Sequence, residues 1–116
     1  MKINDLQEIC EQLPGTVQDI KWEDHLCFNV GEKMYLVTAP DKFPVSASFK
    51  VSDEEFEEIS NREGFIPAPY MARNKWVLLD DISRLSKKEW EQRIKNSYML
   101  IASKLTKKLQ KELGLI

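Results

Sequence analysis

The sequence predicts an α+β two-layer sandwich, an antiparallel sheet with helices packed on one face, and three observations carry that expectation. Apolar residues alternate with period two through 26–39 and again through 45–51. The connections between these stretches are too short to hold a crossover helix, so the strands run antiparallel. Helical spacing of apolar residues appears instead towards the two ends of the chain, and segregated helices and strands define this class. With 116 residues, 42% apolar and 31% charged, the chain fits one domain, 1–116. That composition excludes disorder, collagen-like repeats and a disulfide scaffold.

Asn4 with Gln7 has the pattern of a capping box, and Leu6, Ile9, Cys10 and Leu13 follow at helical spacing. Pro14-Gly15 stops this first helix. Val17, Ile20 and Trp22 suggest a strand. Residues 26–39 read as a hairpin: Leu26, Phe28 and Val30 alternate with Cys27 and Asn29, and Gly31-Glu32 supplies the tight turn. Pro40 and Pro44 bracket a loop before the next strand, in which Val45, Ala47, Phe49 and Val51 alternate with Ser46, Ser48 and Lys50.

Ser52 with Glu55 opens a short helix that buries Phe56 and Ile59, and its acidic first turn suits the helix dipole. The stretch 61–75 is irregular; Pro67 and Pro69 exclude a central strand there. Trp76 to Leu79 forms a short strand. Ser86 with Glu89 caps the longest helix, whose stripe is Trp90, Ile94, Tyr98, Ile101 and Leu105. Thr106 can cap a separate helix over 107–113, or the rod can continue; the sequence leaves both open. The three tryptophans are expected to fill the interface between helices and sheet.

The longest apolar run, Tyr98 to Ala102, is too short to cross a bilayer, and the first residues lack a secretory leader pattern. Cys10 and Cys27 are too isolated for a metal knuckle or redox motif, so reduced thiols in a cytoplasmic protein are expected. The net charge of −2 hides an asymmetry: residues 1–81 carry twice as many acids as bases, whereas 82–116 carry three times as many bases as acids. Such a split marks either a polyanion-facing surface or two ends that pair on folding.

Leu13-Pro14-Gly15, Phe28 through Tyr35, Phe49-Lys50, Ala68-Pro69-Tyr70-Met71, Lys75-Trp76-Val77, Ser97-Tyr98 and Lys104 through Lys108 together resemble the MmcQ/YjbR family, from the first helix to about Lys108. The resemblance implies a fold similar to that of the bacterial frataxin homologue, and DNA binding through a double-wing arrangement of hairpins. Lys75 stands where many members have His, and Thr106 where they have Pro.

Phosphate contacts in such a protein need clustered cations, all the more in a chain of pI near 5.5. The candidates are Arg73, Lys75, Arg93, Lys104, Lys107 and Lys108. If the last helix is continuous, Arg93, Lys104, Lys107 and Lys111 share roughly a 60° sector of it. Arg62 and Asn74 in the irregular loop would extend the patch, and Phe65, Tyr70 and Trp76 would stack on bases wherever they are exposed. The alternative is a non-catalytic module for an anionic small molecule or a protein. Its cationic pocket would be built from Lys50, Tyr70, Lys75 and Trp76, with the Pro-Tyr-Met loop folded over the polar sheet face.

Nothing points to an enzyme, a cofactor or a membrane partner. His25 is the lone histidine and follows two acids at a turn. No phosphate-loop, dinucleotide or nucleophile-elbow motif occurs. The acids Asp5, Glu8, Glu11, Asp19, Glu23 and Asp24 are read as a solvated face, with no metal site assigned.

Overall fold

A computed structural model describes residues 1–116. The elements are α1 (Ile3–Glu11), β1 (Val17–Lys21), β2 (His25–Val30), β3 (Lys33–Ala39), β4 (Ser46–Lys50), α2 (Asp53–Ser60), β5 (Phe65–Pro67), β6 (Trp76–Leu79), α3 (Lys87–Ala102) and α4 (Lys107–Glu112). Short 3₁₀ turns occupy Ala72–Asn74 and Ile82–Arg84. The six strands form one sheet in the order β1-β2-β3-β4-β6-β5, and every pair is antiparallel. No helix is long and apolar enough to cross a membrane.

The two-layer expectation holds, with local differences that have physical causes. The first helix starts earlier than the Asn4–Gln7 pattern suggests, because Asp5 reaches back to accept from the Lys2 backbone N–H at 2.8 Å. Gln7 turns outward to Gln18 at 3.0 Å. The Ser52–Glu55 box forms as expected. Within the irregular stretch, β5 is a strand the sequence conceals; it pairs only with β6, at the sheet edge where a proline is tolerated. The last rod does break, and Thr106 Oγ caps α4 by accepting from Leu109 N–H at 3.2 Å.

One face of the sheet carries the main core. Leu6 and Cys10 of α1 and Trp90, Ile94, Tyr98 and Ala102 of α3 pack on Phe28, Leu36, Phe49, Val77 and Leu79. Trp90 sits edge-on to Phe49 at 5.6 Å and donates through Nε1 to the Ile82 carbonyl at 2.8 Å. Of the three tryptophans, only Trp90 lies in this interface; Trp76 is buried on the opposite face and Trp22 is 62% exposed. Trp22 lies just past β1, in the turn to β2 with φ 51°, beside an edge strand that is exposed on both faces.

The clean alternation expected in β3 is broken by one extra residue. Phe28 pairs with Leu36 and Asn29 with Met34, so Tyr35 bulges and joins Leu36 on the helix side. Continuing the β3–β4 register would set Tyr35 opposite Lys50, but the bulge breaks that pair. Ser97, fully buried on α3, closes the gap. Its hydroxyl donates to the Tyr35 carbonyl at 2.6 Å and accepts from the Lys50 N–H at 3.0 Å. Tyr98, the next residue, ties α3 to the end of α1 by donating to the Pro14 carbonyl at 2.6 Å.

Ser97→Ala leaves two buried backbone groups unpaired, so it should destabilise the fold by about 3 kcal/mol. Ser103→Ala, at an exposed hydroxyl, should stay within about 0.5 kcal/mol. Urea unfolding of the two variants checks the difference.

Candidate functional site

The opposite face of the sheet carries no helix. It is covered in part by residues 68–75, which fold back across it as the sequence anticipates. Trp76 and Ala68 bury themselves against Cys27 and Val37, with Met34, Met71 and Leu78 packed around them. Backbone bonds hold the return path: Ala68 N–H to the Trp76 carbonyl at 3.0 Å, Trp76 N–H to Met71 at 3.3 Å, and Val51 N–H to Lys75 at 2.9 Å. Tyr70 and Lys75 take left-handed backbone angles, φ 65° and 63°, which let this short segment reverse twice.

Two clefts flank this strap, with Met71 lining both, and the first reaches the end of α3. The first has a volume of about 400 Å³. Its apolar wall is Met34, Met71, Trp76, Ile101 and Leu105, and its cations are Lys33, Lys50 and Lys104. Three separate elements deliver those lysines. Lys50 ends β4 on the uncovered face, Lys33 opens β3 beside the hairpin turn, and Lys104 lies in the turn between α3 and α4.

Gly31 is the reason the last two come together. A Cβ there would lie 2.8 Å from Leu105 and 2.9 Å from Leu109, so only glycine lets the α3–α4 corner settle on the hairpin tip. Its φ of 54° is also one a side chain would resist.

No carboxylate lines this cleft. The Lys50 ammonium donates to the Asn74 carbonyl. Burial, and then repulsion from Lys104 with a smaller contribution from Lys75, hold it below its ordinary pKa against the opposing pull of Asp53. Like charges are therefore concentrated in a recess that no carboxylate lines, with Asp53 acting on Lys50 from outside it.

The expected constellation is regrouped. Lys50 and Trp76 line the cleft, but Tyr70 lies across the strap in the second one, wholly exposed. The Lys75 ammonium sits 5.0 Å above the Phe56 ring, outside the lining residues. Among the proposed phosphate contacts, Lys104 lines the cleft, and Lys107 and Lys108 are exposed on the first turn of α4 beyond it. Arg73 is exposed in the strap and forms no ion pair.

Arg93 does not belong with them. It is held by Glu55 at 2.8 Å and Glu89 at 3.9 Å, and the break after Ala102 removes the shared helical sector that linked it to Lys104, Lys107 and Lys111. Arg62 is likewise taken by Glu89 at 2.5 Å and Arg84 by Asp80 at 2.6 Å. Of the loop aromatics, Phe65 and Trp76 are buried and unavailable for stacking. Sequence reasoning missed Lys33, although it sits inside the Gly31-Glu32-Lys33-Met34 stretch that marks the hairpin tip.

With its fold and this cleft, the molecule is a small α+β open-sheet protein bearing a cationic recess between the strap and the α3–α4 corner. It belongs to the YjbR family, whose model matches residues 11–100. The chain is similar to the crystal structure of a Deinococcus radiodurans protein with a DUF419 domain: identity is 28%, coverage 99% of this chain and 89% of that one, and the TM-score 0.88. A Pseudomonas syringae protein of solved structure shares the fold at 22% identity, with 86% and 98% covered and a TM-score of 0.71. A search of curated proteins returns no match.

The Arg93 network has a pH signature. Burial raises the Glu55 carboxyl, but hydrogen bonds from Ser52 and Arg93 outweigh it and leave the group below its ordinary 4.5. Glu89 is lowered chiefly by the hydrogen bond from Arg62, with burial opposing and the charges of Arg62 and Arg93 adding. Folded-state values below the unfolded ones mean the stabilisation is complete above about pH 4.5 and is lost as pH falls through the folded values. Urea midpoints from pH 7 to 3 should therefore fall less steeply in Arg93→Met than in the wild type, while Arg93→Met starts lower at pH 7.

Proposed function

We propose that the protein binds nucleic acid without catalysing a reaction, seating phosphates on the lysine cleft. Lys33, Lys50 and Lys104 make the central contacts, and Arg73, Lys75, Lys107 and Lys108 extend the surface around them. One observation carries this reading: three lysines from separate elements face one recess with no carboxylate in it, while three of the four arginines are consumed by internal acids. The overall acidity of the chain is no obstacle at short range, because screening at physiological salt confines each charge to about 8 Å. Buried, unpaired Cys10 and Cys27 accord with a cytoplasmic setting, where thiols stay reduced and nucleic acid is present.

A second reading draws on the shape of the same recess. Its volume of about 400 Å³ and its apolar wall lie within the range of small-molecule sites, so an organic phosphate is the alternative occupant.

The three central contacts alone predict that log K falls against log salt with a slope of about 2 to 3, and each surrounding cation that meets a phosphate adds about 1. Lys104→Ala should lower that slope by about 1, and Lys95→Ala, which does not line the cleft, should leave it unchanged. Fluorescence anisotropy of a labelled oligonucleotide across a salt series checks both. Binding that ignores salt, or that Lys33, Lys50 and Lys104 can all lose without effect, would overturn the assignment. A small organic phosphate that saturates the cleft where no oligonucleotide binds would transfer it to the second reading.

A further inference from the structure

We propose that the second cleft binds a flat heteroaromatic ring of the nucleobase type, unpaired, between Trp22 and Tyr70. The ring belongs to a single strand or to a free nucleotide. The strand arm rests on the nucleic-acid reading above; the ring arm does not.

The cleft has a volume of about 570 Å³, with Val37, Leu78 and Met71 in its lining. Two aromatic side chains from distant parts of the chain flank it, and both are turned to solvent: Trp22 is 62% and Tyr70 105% exposed, against 4% for Trp76 and 0% for Trp90. Both also sit in left-handed backbone, φ 51° and 65°. Bulky residues rarely adopt that conformation, and where they do the strained residues tend to gather at ligand sites.

The Trp22 wall is braced. His25 meets its ring edge-on at 5.7 Å, and His25 is fixed in turn by Asp24 at 2.7 Å. The Tyr70 wall is carried by the strap already described, through Met71 N–H to the Ala68 carbonyl at 3.1 Å.

The polar groups choose among flat ligands. Ser46 and Ser48 line the cleft, and neither hydroxyl has a partner within the protein, so both can serve a ring edge that carries donors and acceptors. No carboxylate lines it, and Lys42 does, which disfavours the cationic ligands that aromatic cages otherwise take. A base inside a duplex has both faces stacked and cannot enter; an unpaired one can. Met71 lines this cleft and the lysine cleft together, so the two adjoin across the strap.

Trp22 is the one exposed tryptophan, so its emission reports on the cleft. Glycine accepts the backbone of residue 70, and Tyr70→Gly removes the ring without strain. A short oligodeoxythymidine should quench Trp22 saturably, and Tyr70→Gly should weaken its binding about tenfold or more. Thymidine monophosphate should quench more weakly at the same site, and a duplex of equal length should not quench at all.

Quenching by the monophosphate with no salt-dependent oligonucleotide binding supports the ring site while counting against the phosphate reading. Salt-dependent oligonucleotide binding that neither quenches Trp22 nor responds to Tyr70→Gly overturns the ring site and spares the lysine cleft. Absence of quenching by every probe overturns it as well, and quenching by the duplex equal to that by the single strand overturns the requirement for an unpaired base.

Discussion

The anchoring of Trp76 and Ala68 against Cys27 and Val37 is the contact on which the shape of the sheet's second face depends. A sheet covered by helices on one side leaves its other side wet, and here that side holds enough apolar surface to recruit a strap from the chain itself. Burial of Trp76, with its flanking backbone bonds, fixes the strap against the strands. The strap then makes concavity out of a flat surface. Without it Lys50 would stand alone on an open strand, and the second cleft would lose Pro69, Tyr70 and Met71 from its lining.

A second constraint sits on the covered side. The bulge at Tyr35 turns two consecutive side chains into the core, which helps fill the space under α3 but breaks the ladder to β4. The Ser97 hydroxyl repairs that break and, in doing so, ties the end of β4 to α3. Lys50 is thereby held near the α3–α4 corner that brings Lys104. Packing and site geometry share one buried hydroxyl.

Arginine and lysine are used differently in this protein. Arg62, Arg84 and Arg93 have forked guanidinium groups suited to carboxylates, and each is engaged by acids on its own surface. The pairs of Arg62 and Arg93 add about 1 kcal/mol or less apiece, and all three pairs cancel the long-range field of the arginines. No lysine forms an ion pair. The basic excess of the C-terminal third thus divides into arginines that pair with acids earlier in the chain and lysines without an ion pair, of which Lys104 lines the recess.

The sequence by itself determined the layers, because period two in 26–39 and 45–51 and the stripe from Trp90 to Ile101 are local consequences of which face each residue must bury. It also placed Lys50 on the polar face by parity and marked Thr106 as a cap that would act if the rod broke. It gave little sign of β5, whose three residues hold a proline and are a strand only because β6 offers a partner. Nor did it separate Tyr70 from Trp76, six residues apart, because which side of a strap each ring takes depends on two left-handed residues and a distant strand. Local periodicity reports burial, and so it reveals the sandwich. The company a lysine or an aromatic ring keeps is set by contacts far along the chain, such as Gly31 beneath Leu105, and those only the folded molecule decided.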